Sequence, residues 1–251
     1  MRAIALVDLD DTLFQTLRKR PDDVPESAMT PLGFARDGSP LSYATPRQMN
    51  FIAWLGESTL FVPVTARGLE GLRRVRLDYG AAVCAHGGVV LGEDSTPDPE
   101  WAAIIAEAAA LHAEPLALAA DAVSAAAEAA GHRLNVRVLT EEGTGLYVLI
   151  KHPQADDEAL HKAVEAAAHA VPAGWTTHVN GNNVALMPPF LGKRQAVAHM
   201  LPALRARHPD LPVIGIGDSL TDAPFMALCD FAMTPTGSQL AAATPFARGI
   251  G

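Results

Sequence analysis

Residues 4–14 read IALVDLDDTLF: four apolar residues, then Asp8, Asp10 and Asp11 crowded together before Thr12. With Ala3 the apolar run is continuous and shows no polar alternation, as expected of a short strand covered on both faces of a parallel sheet. A strand end is a poor place to gather three carboxylates. They repel, and a close pair can force one carboxyl to stay protonated. Such a cluster makes physical sense where a cation is held.

Outward from that stretch, the chain alternates strand and helix. Residues 18–46 are punctuated by five prolines, and Asp37-Gly38 sits between two extended arms. That dipeptide signals a hairpin turn, so the stretch reads either as a flap projecting after the first strand or as a plain surface loop. Thr45-Pro46-Arg47-Gln48 opens a helix, with a capping hydroxyl, a proline suited to the first turn and a glutamine that completes a capping box. TLFVPVTAR is the next strand, ending at Thr65. Residues 69–78 read as a helix and 81–85 as a third strand. The order βαβαβ predicts a parallel sheet with helices packed on it.

The pattern changes after Leu91. Residues 97–130 read as Ala-rich helix broken near Pro115, followed by strands at 133–139 and 146–150 joined by Glu142-Gly143. A helix at 155–171 precedes strands at 176–179 and 184–187, joined by Asn180-Gly181-Asn182-Asn183. Two αββ units make a small antiparallel sheet with helices on one face. The fold class is therefore α/β: a Rossmann-like parallel core, residues 1–91 and 190–251, with an inserted α+β cap domain, αββαββ, at 92–189. After the insert come a helix at 193–206, a buried strand at 212–216, a short helix at 221–228, a strand at 231–234 and a last helix at 237–243.

Composition bounds the function. Of 251 residues, 49% are hydrophobic, which is ample for a core, and the net charge of −9 argues against a nucleic-acid or anionic-membrane partner. The expected partner is a small-molecule phosphate ester; the sequence does not fix the oligomeric state. Cys84 and Cys229 lie in apolar surroundings and read as reduced thiols. No basic region followed by an apolar stretch marks the N-terminus, so the expected location is cytoplasmic.

The apolar strands end abruptly in polar residues: Val7 then Asp8, Val64 then Thr65, Gly217 then Asp218. In open parallel sheets ligands bind outside the carboxyl ends of the strands. Neighbouring strands would bring Asp8, Asp10, Thr65 and Asp218 to one edge, with Lys193 in reach from a helix start. Clustered carboxylates suit a hard cation, and Mg²⁺ takes oxygen ligands. Asp8 and Asp218 can supply side-chain oxygens and Asp10 its backbone carbonyl. An ionised Asp8 is a competent nucleophile toward phosphorus, and Asp10 can protonate the leaving alkoxide and then activate water. Lys193, the Thr65 hydroxyl and the N–H groups of Leu9, Asp10 and Ala66 can bind the transferring oxygens.

DLDDTL, then Thr65, then Lys193, then GDSLTD at 217–222 resembles the four ordered motifs of the haloacid dehalogenase superfamily. The resemblance implies Asp8 as nucleophile, Asp10 as acid/base, Thr65 and Lys193 as phosphate ligands, and Asp218 as metal ligand. It implies that Asp222 either completes the metal's surroundings or holds Lys193. Asp at position 10 matters, because the dehalogenases lack an acid there while the phosphatases and phosphomutases have one. In that superfamily an insert between the second and third motifs marks a cap module, and the αββαββ pattern is similar to its sugar-phosphate branch, which includes trehalose-6-phosphate, sucrose-6-phosphate and mannosyl-3-phosphoglycerate phosphatases. Thr65-Ala66-Arg67 stands where many relatives have Thr-Gly-Arg, and His86-Gly87 where many have Asn-Gly.

The resemblance implies an Mg²⁺-dependent phosphatase acting on a sugar phosphate or glycosyl-phosphoglycerate. The alternatives are a phosphomutase using the same residues and a non-catalytic sugar-phosphate sensor. Arg67 either grips a substrate anion or lies on the surface. His86 is a loop histidine or a substrate contact. Asn180 and Asn182 form a turn first, with sugar contact as the bolder reading.

Overall fold

The computed structural model describes residues 1–243. In chain order the elements begin with β1 (Ala3–Val7), the hairpin strands β2 (Thr30–Phe34) and β3 (Pro40–Ala44), α1 (Pro46–Ser58), β4 (Thr59–Pro63), α2 (Leu69–Arg73), β5 (Ala82–Cys84) and β6 (Val89–Leu91). There follow α3 (Pro99–Ala110), α4 (Ala113–Ala129), β7 (Asn135–Glu141), β8 (Thr144–Lys151), α5 (Asp157–Ala166), β9 (Thr176–Asn180) and β10 (Asn183–Met187). The described residues close with α6 (Lys193–Arg207), β11 (Val213–Ile216), α7 (Ala223–Met226), β12 (Phe231–Met233) and α8 (Gln239–Ala243). They form two compact units, one from Met1–Trp101 with the chain from Gly192 onward, the other Ala102–Leu191.

The first unit is built on a parallel sheet of order β12-β11-β1-β4. All five residues of β1 are buried, which explains its unbroken apolar sequence. In register, Val7 lies between Ile216 on one side and Pro63 on the other, so three strands finish abreast. A parallel bridge between Val64 and Val83 carries the edge on to β5. The hairpin of β2 and β3 is formed, with Gly38 at φ +82 in the turn that Asp37-Gly38 signalled. The capping box of α1 is complete: Gln48 N–H donates to Thr45 Oγ1, and Thr45 N–H to Gln48 Oε1.

Three details depart from expectation. The helix from Leu69 stops at Arg73 rather than at residue 78, because the next residues pair with the hairpin. Arg76 N–H donates to Leu32 O at 2.8 Å, and Phe34 N–H to Arg74 O at 3.1 Å. Residues 89–91 form β6, a strand the sequence reading lacked, antiparallel to β5. The break in the Ala-rich helical region falls at Leu111–His112, not at Pro115, with a 63° bend between α3 and α4. Pro115 lies in the first turn of α4, where its missing N–H costs no hydrogen bond.

The second unit is an antiparallel sheet of order β7-β8-β10-β9. Its core gathers Leu116, Ala119 and Val123 of α4, Val148 and Ile150 of β8, Leu160 of α5, and Val184 and Leu186 of β10. Glu142 and Gly143 turn β7 into β8 with φ of 49° and 83°, as a tight hairpin requires. Among the described residues no single helix is long and apolar enough to cross a membrane.

Candidate active site

The ends of β1, β4 and β11 bring the polar residues together. Asp8 N–H donates to Ile216 O at 2.8 Å, which places Asp8 beside the chain segment that carries Asp218. Thr12 Oγ1 lies 3.2 Å from Asp8 Oδ2 and 3.1 Å from Asp218 Oδ1, within hydrogen-bonding distance of both. Its single proton serves one of them at a time. Thr65 is fully buried at the next strand end, and its Oγ1 accepts from Arg67 N–H at 3.1 Å. Leu9 is buried, and its carbonyl accepts from Leu13 N–H, winding the chain into a turn after the strand.

Lys193 opens α6 on the same edge. Its placement depends on Gly87, where the backbone has φ +98 and a Cβ would run into the carbonyl of Gly192. Ala85 and His86, just before it, also adopt positive φ, of 50° and 56°. Successive left-handed non-glycine residues are costly and persist only where the surroundings over-determine them. Trp101 helps: its indole N–H donates to Gly87 O at 2.9 Å. His86 is buried in this turn, and its backbone N–H donates to Thr65 O at 3.2 Å.

The Lys193 ammonium bridges two carboxylates, lying 2.5 Å from Asp8 Oδ1 and 2.7 Å from Asp222 Oδ1. The other oxygen of Asp222 accepts from Ser219 N–H and Ser219 Oγ. Asp222 thus contacts Lys193 through one oxygen and Ser219 through the other. Burial alone would raise the Asp222 pKa, but Lys193 and the Ser219 donors outweigh it and hold it low. Burial dominates at Asp8, and despite Lys193 its carboxyl is pushed up to about 8, with Asp222 and Asp10 adding to the rise. Burial also raises Asp218, helped by Asp222.

The edge thus carries more negative charge than one ammonium can balance. Carboxylate oxygens of Asp8, Asp218 and Asp222 all lie within 4.8 Å of one another. An all-oxygen donor set of this charge fits a hard divalent cation such as Mg²⁺. The residues present therefore suit the expected cofactor.

Asp10 faces a different partner. Arg67 Nε donates to Asp10 Oδ2 and Arg67 Nη2 to Asp10 Oδ1, both at 2.7 Å. Arg67 thus pairs with Asp10 and is only partly exposed. Ala66 lies between Thr65 and Arg67 on this segment. Asp11, the third carboxylate of the motif, has φ 65° and pairs with Lys19 at 2.5 Å. Asn180 and Asn182 belong to the second unit. The Asn182 carboxamide accepts from His152 N–H and donates to His152 O, tying the β9–β10 turn to the chain after β8. Thr12 and Ser219 escaped the sequence reading, as did the pairing of Arg67 with Asp10. Thr12 had a signal in its spacing, four residues after Asp8.

No family model and no curated protein matches the sequence. Solved structures do. The C-terminal domain of trehalose-6-phosphate phosphatase from C. albicans matches at TM-score 0.58 and 13% identity, over 89% of this chain and 72% of that one. An IMP-nucleotidase from Plasmodium falciparum matches at TM-score 0.53 and 13% identity, over 93% of this chain and 64% of that one. The chain has the fold of these two proteins. The parallel α/β core and separate antiparallel α+β unit expected from the sequence are present, and the strand ends of the core carry Asp8, Thr65 and Asp218. A sucrose-phosphatase from Synechocystis, solved with sucrose and phosphate, matches at TM-score 0.49 and 14% identity, over 96% of this chain and 95% of that one.

Proposed function

We propose that the chain is an Mg²⁺-dependent phosphatase of the haloacid dehalogenase superfamily, hydrolysing a small phosphomonoester through an aspartyl-phosphate on Asp8. The substrate class is a sugar phosphate or glycosyl-phosphoglycerate. The observation that carries the reading is Asp8 itself: a buried carboxylate at a strand end, gripped by Lys193, with a second carboxylate two residues on. A binding protein needs the first but has no use for the second.

An oxygen of Asp8 attacks phosphorus as the bond to the ester oxygen breaks, and Asp10 gives that oxygen its proton, so an alcohol departs. Asp10, now ionised, takes a proton from water, whose oxygen attacks the same phosphorus. The bond from phosphorus to Asp8 breaks, restoring the Asp8 carboxylate and releasing inorganic phosphate. Lys193, the Thr65 hydroxyl and the N–H groups of Leu9, Asp10 and Ala66 bind the phosphoryl oxygens during both transfers. Bound Mg²⁺, held by Asp8 and Asp218 side chains and the Asp10 carbonyl, would supply the charge that keeps Asp8 ionised. The second unit is assigned the work of a cap, selecting the alcohol and excluding water until Asp8 is phosphorylated.

The test is phosphate release across a panel of sugar phosphates and glycosyl-phosphoglycerates, in Mg²⁺ and in EDTA, for wild type and Asp8→Asn. Turnover that needs both the metal and Asp8 is expected. Turnover surviving in Asp8→Asn would remove the aspartyl-phosphate. A silent panel in Mg²⁺ would turn the assignment toward a mutase or a sensor.

A further inference from the structure

Arg67 is held by several neighbours. It makes two parallel bonds to Asp10, and its Nη2 also donates to Ser42 Oγ at 2.9 Å. Its guanidinium carbon lies 5.1 Å from the centroid of the Phe14 ring. Gly33 leaves it room: a Cβ there would stand 3.2 Å from Arg67 Nη1 and 3.0 Å from Ser42 Cβ. Phe14 follows Asp10 in the turn after β1. Ser42 and Gly33 come from the two strands of the hairpin, and Ser42 is buried.

The hairpin is in turn fixed to the core. Tyr43 and Gln15 exchange two backbone hydrogen bonds, at 3.0 and 2.7 Å. Gln48 Nε2, in the first turn of α1, donates to Gln15 Oε1 at 2.7 Å. The strand that holds Ser42 therefore runs directly into the capped start of α1. A side chain gripped by such a frame keeps one orientation and transmits it.

We infer that Arg67 is a positioning residue for Asp10 and that the β2–β3 hairpin exists in part to hold Arg67 in place. The inference rests on the phosphatase reading above. A carboxylate without the clamp samples several rotamers, and misplacing a proton donor slows transfer steeply. The bidentate fork fixes both carboxylate oxygens in one plane. Each oxygen keeps a second lone pair, so Asp10 can carry the proton for the leaving oxygen without releasing the clamp.

The leaving group provides the readout. A sugar alkoxide is a poor leaving group and depends on a proton from Asp10; nitrophenolate leaves unaided. The rates to compare are single-turnover phosphate release from p-nitrophenyl phosphate and from the sugar phosphate turned over fastest in the panel. Arg67→Gln is expected to slow the sugar ester about 10²-fold while p-nitrophenyl phosphate stays within a few-fold of wild type, as in Asp10→Asn. Arg67→Lys keeps the charge, loses the fork and should show the same selectivity. Ser42→Ala, a milder change that keeps the fold if Arg67 variants do not, should show it at about 3- to 10-fold. Equal losses on both esters, or full activity in Arg67→Lys, would overturn the inference. Asp8→Asn separates the two levels. If it still releases phosphate, the phosphatase reading falls. If it is silent while Arg67→Gln slows both esters alike, only the role of Arg67 falls.

Discussion

Lys193 Nζ lies 2.5 Å from Asp8 Oδ1 across 185 residues of sequence, and both side chains are almost wholly buried. The same ammonium reaches Asp222 at 2.7 Å, so one cation stands between two acids. Each of the following expectations depends on that balance or on the backbone that sets it.

Replacing Lys193 with Met removes the ammonium paired with Asp222 while leaving that carboxylate buried. Breaking a buried pair from one side costs about 3–5 kcal/mol. Urea unfolding should show a loss toward the lower figure, because Asp8 can take up a proton. Phosphate release should fall at least about 10²-fold, as when a charge-stabilising donor is removed. A variant as stable as wild type would mean that Asp222 is neutral in the native protein.

The raised Asp8 carboxyl gives stability a definite pH sign. Its pKa is about 8 in the folded chain, against 3.8 for the unperturbed group. Between those values the folded form keeps a proton that the unfolded form has lost. Asp8's contribution is complete below the lower value and is lost as pH rises through the higher one. In EDTA, the Tm difference between wild type and Asp8→Asn should therefore become less favourable to wild type from pH 4 to pH 8. Mg²⁺ takes the place of that proton, so stabilisation by Mg²⁺ should grow with pH. Scanning calorimetry at pH 5.5 and pH 8 decides it: a Mg²⁺ effect that shrinks with pH would contradict the charge assignment.

Gly87→Ala should damage the site without touching any acid. The added methyl meets the Gly192 carbonyl and the residue must keep φ +98. The strain is about 1–3 kcal/mol, and relieving it moves the start of α6 and hence Lys193. Gly131→Ala is the control, since φ is +76 there but nothing lies within 4 Å of the new Cβ. Both variants should lose stability in urea, with only Gly87→Ala losing most of its turnover.

Each unit has its own core, so unfolding should not be a single step. Ile150 is fully buried among α4, α5 and β10 side chains of the second unit. Ile150→Ala should cost about 2–5 kcal/mol and lower one thermal transition while leaving the other in place. One cooperative transition that shifts as a whole would show that the two units unfold together.

Much of this architecture is visible in the linear pattern. Continuous apolar runs ending in Asp8, Thr65 and Asp218 mark parallel strands with a common edge. Thr45 and Gln48 announce α1, and Asp37-Gly38 and Glu142-Gly143 their hairpins, because caps and turns are chemistry between near neighbours. What escapes is decided by distant partners. α2 ends early because Arg74 and Arg76 give their backbone bonds to a hairpin some 40 residues away. Arg67 finds Asp10 across 57 residues. Asn182 reads as an open turn residue until His152 meets it across 30.

Gly87 has a consequence beyond Lys193. The chain leaves the first unit at Trp101 and re-enters it at Gly192, and both of those residues meet Gly87. Exit and return are stitched to one point. For the first unit, residues 102–191 are a closed detour, and their length is invisible to the sheet edge. Such a joint lets the inserted module be lengthened, replaced or redesigned while the strand ends that carry Asp8, Thr65 and Asp218 keep their alignment.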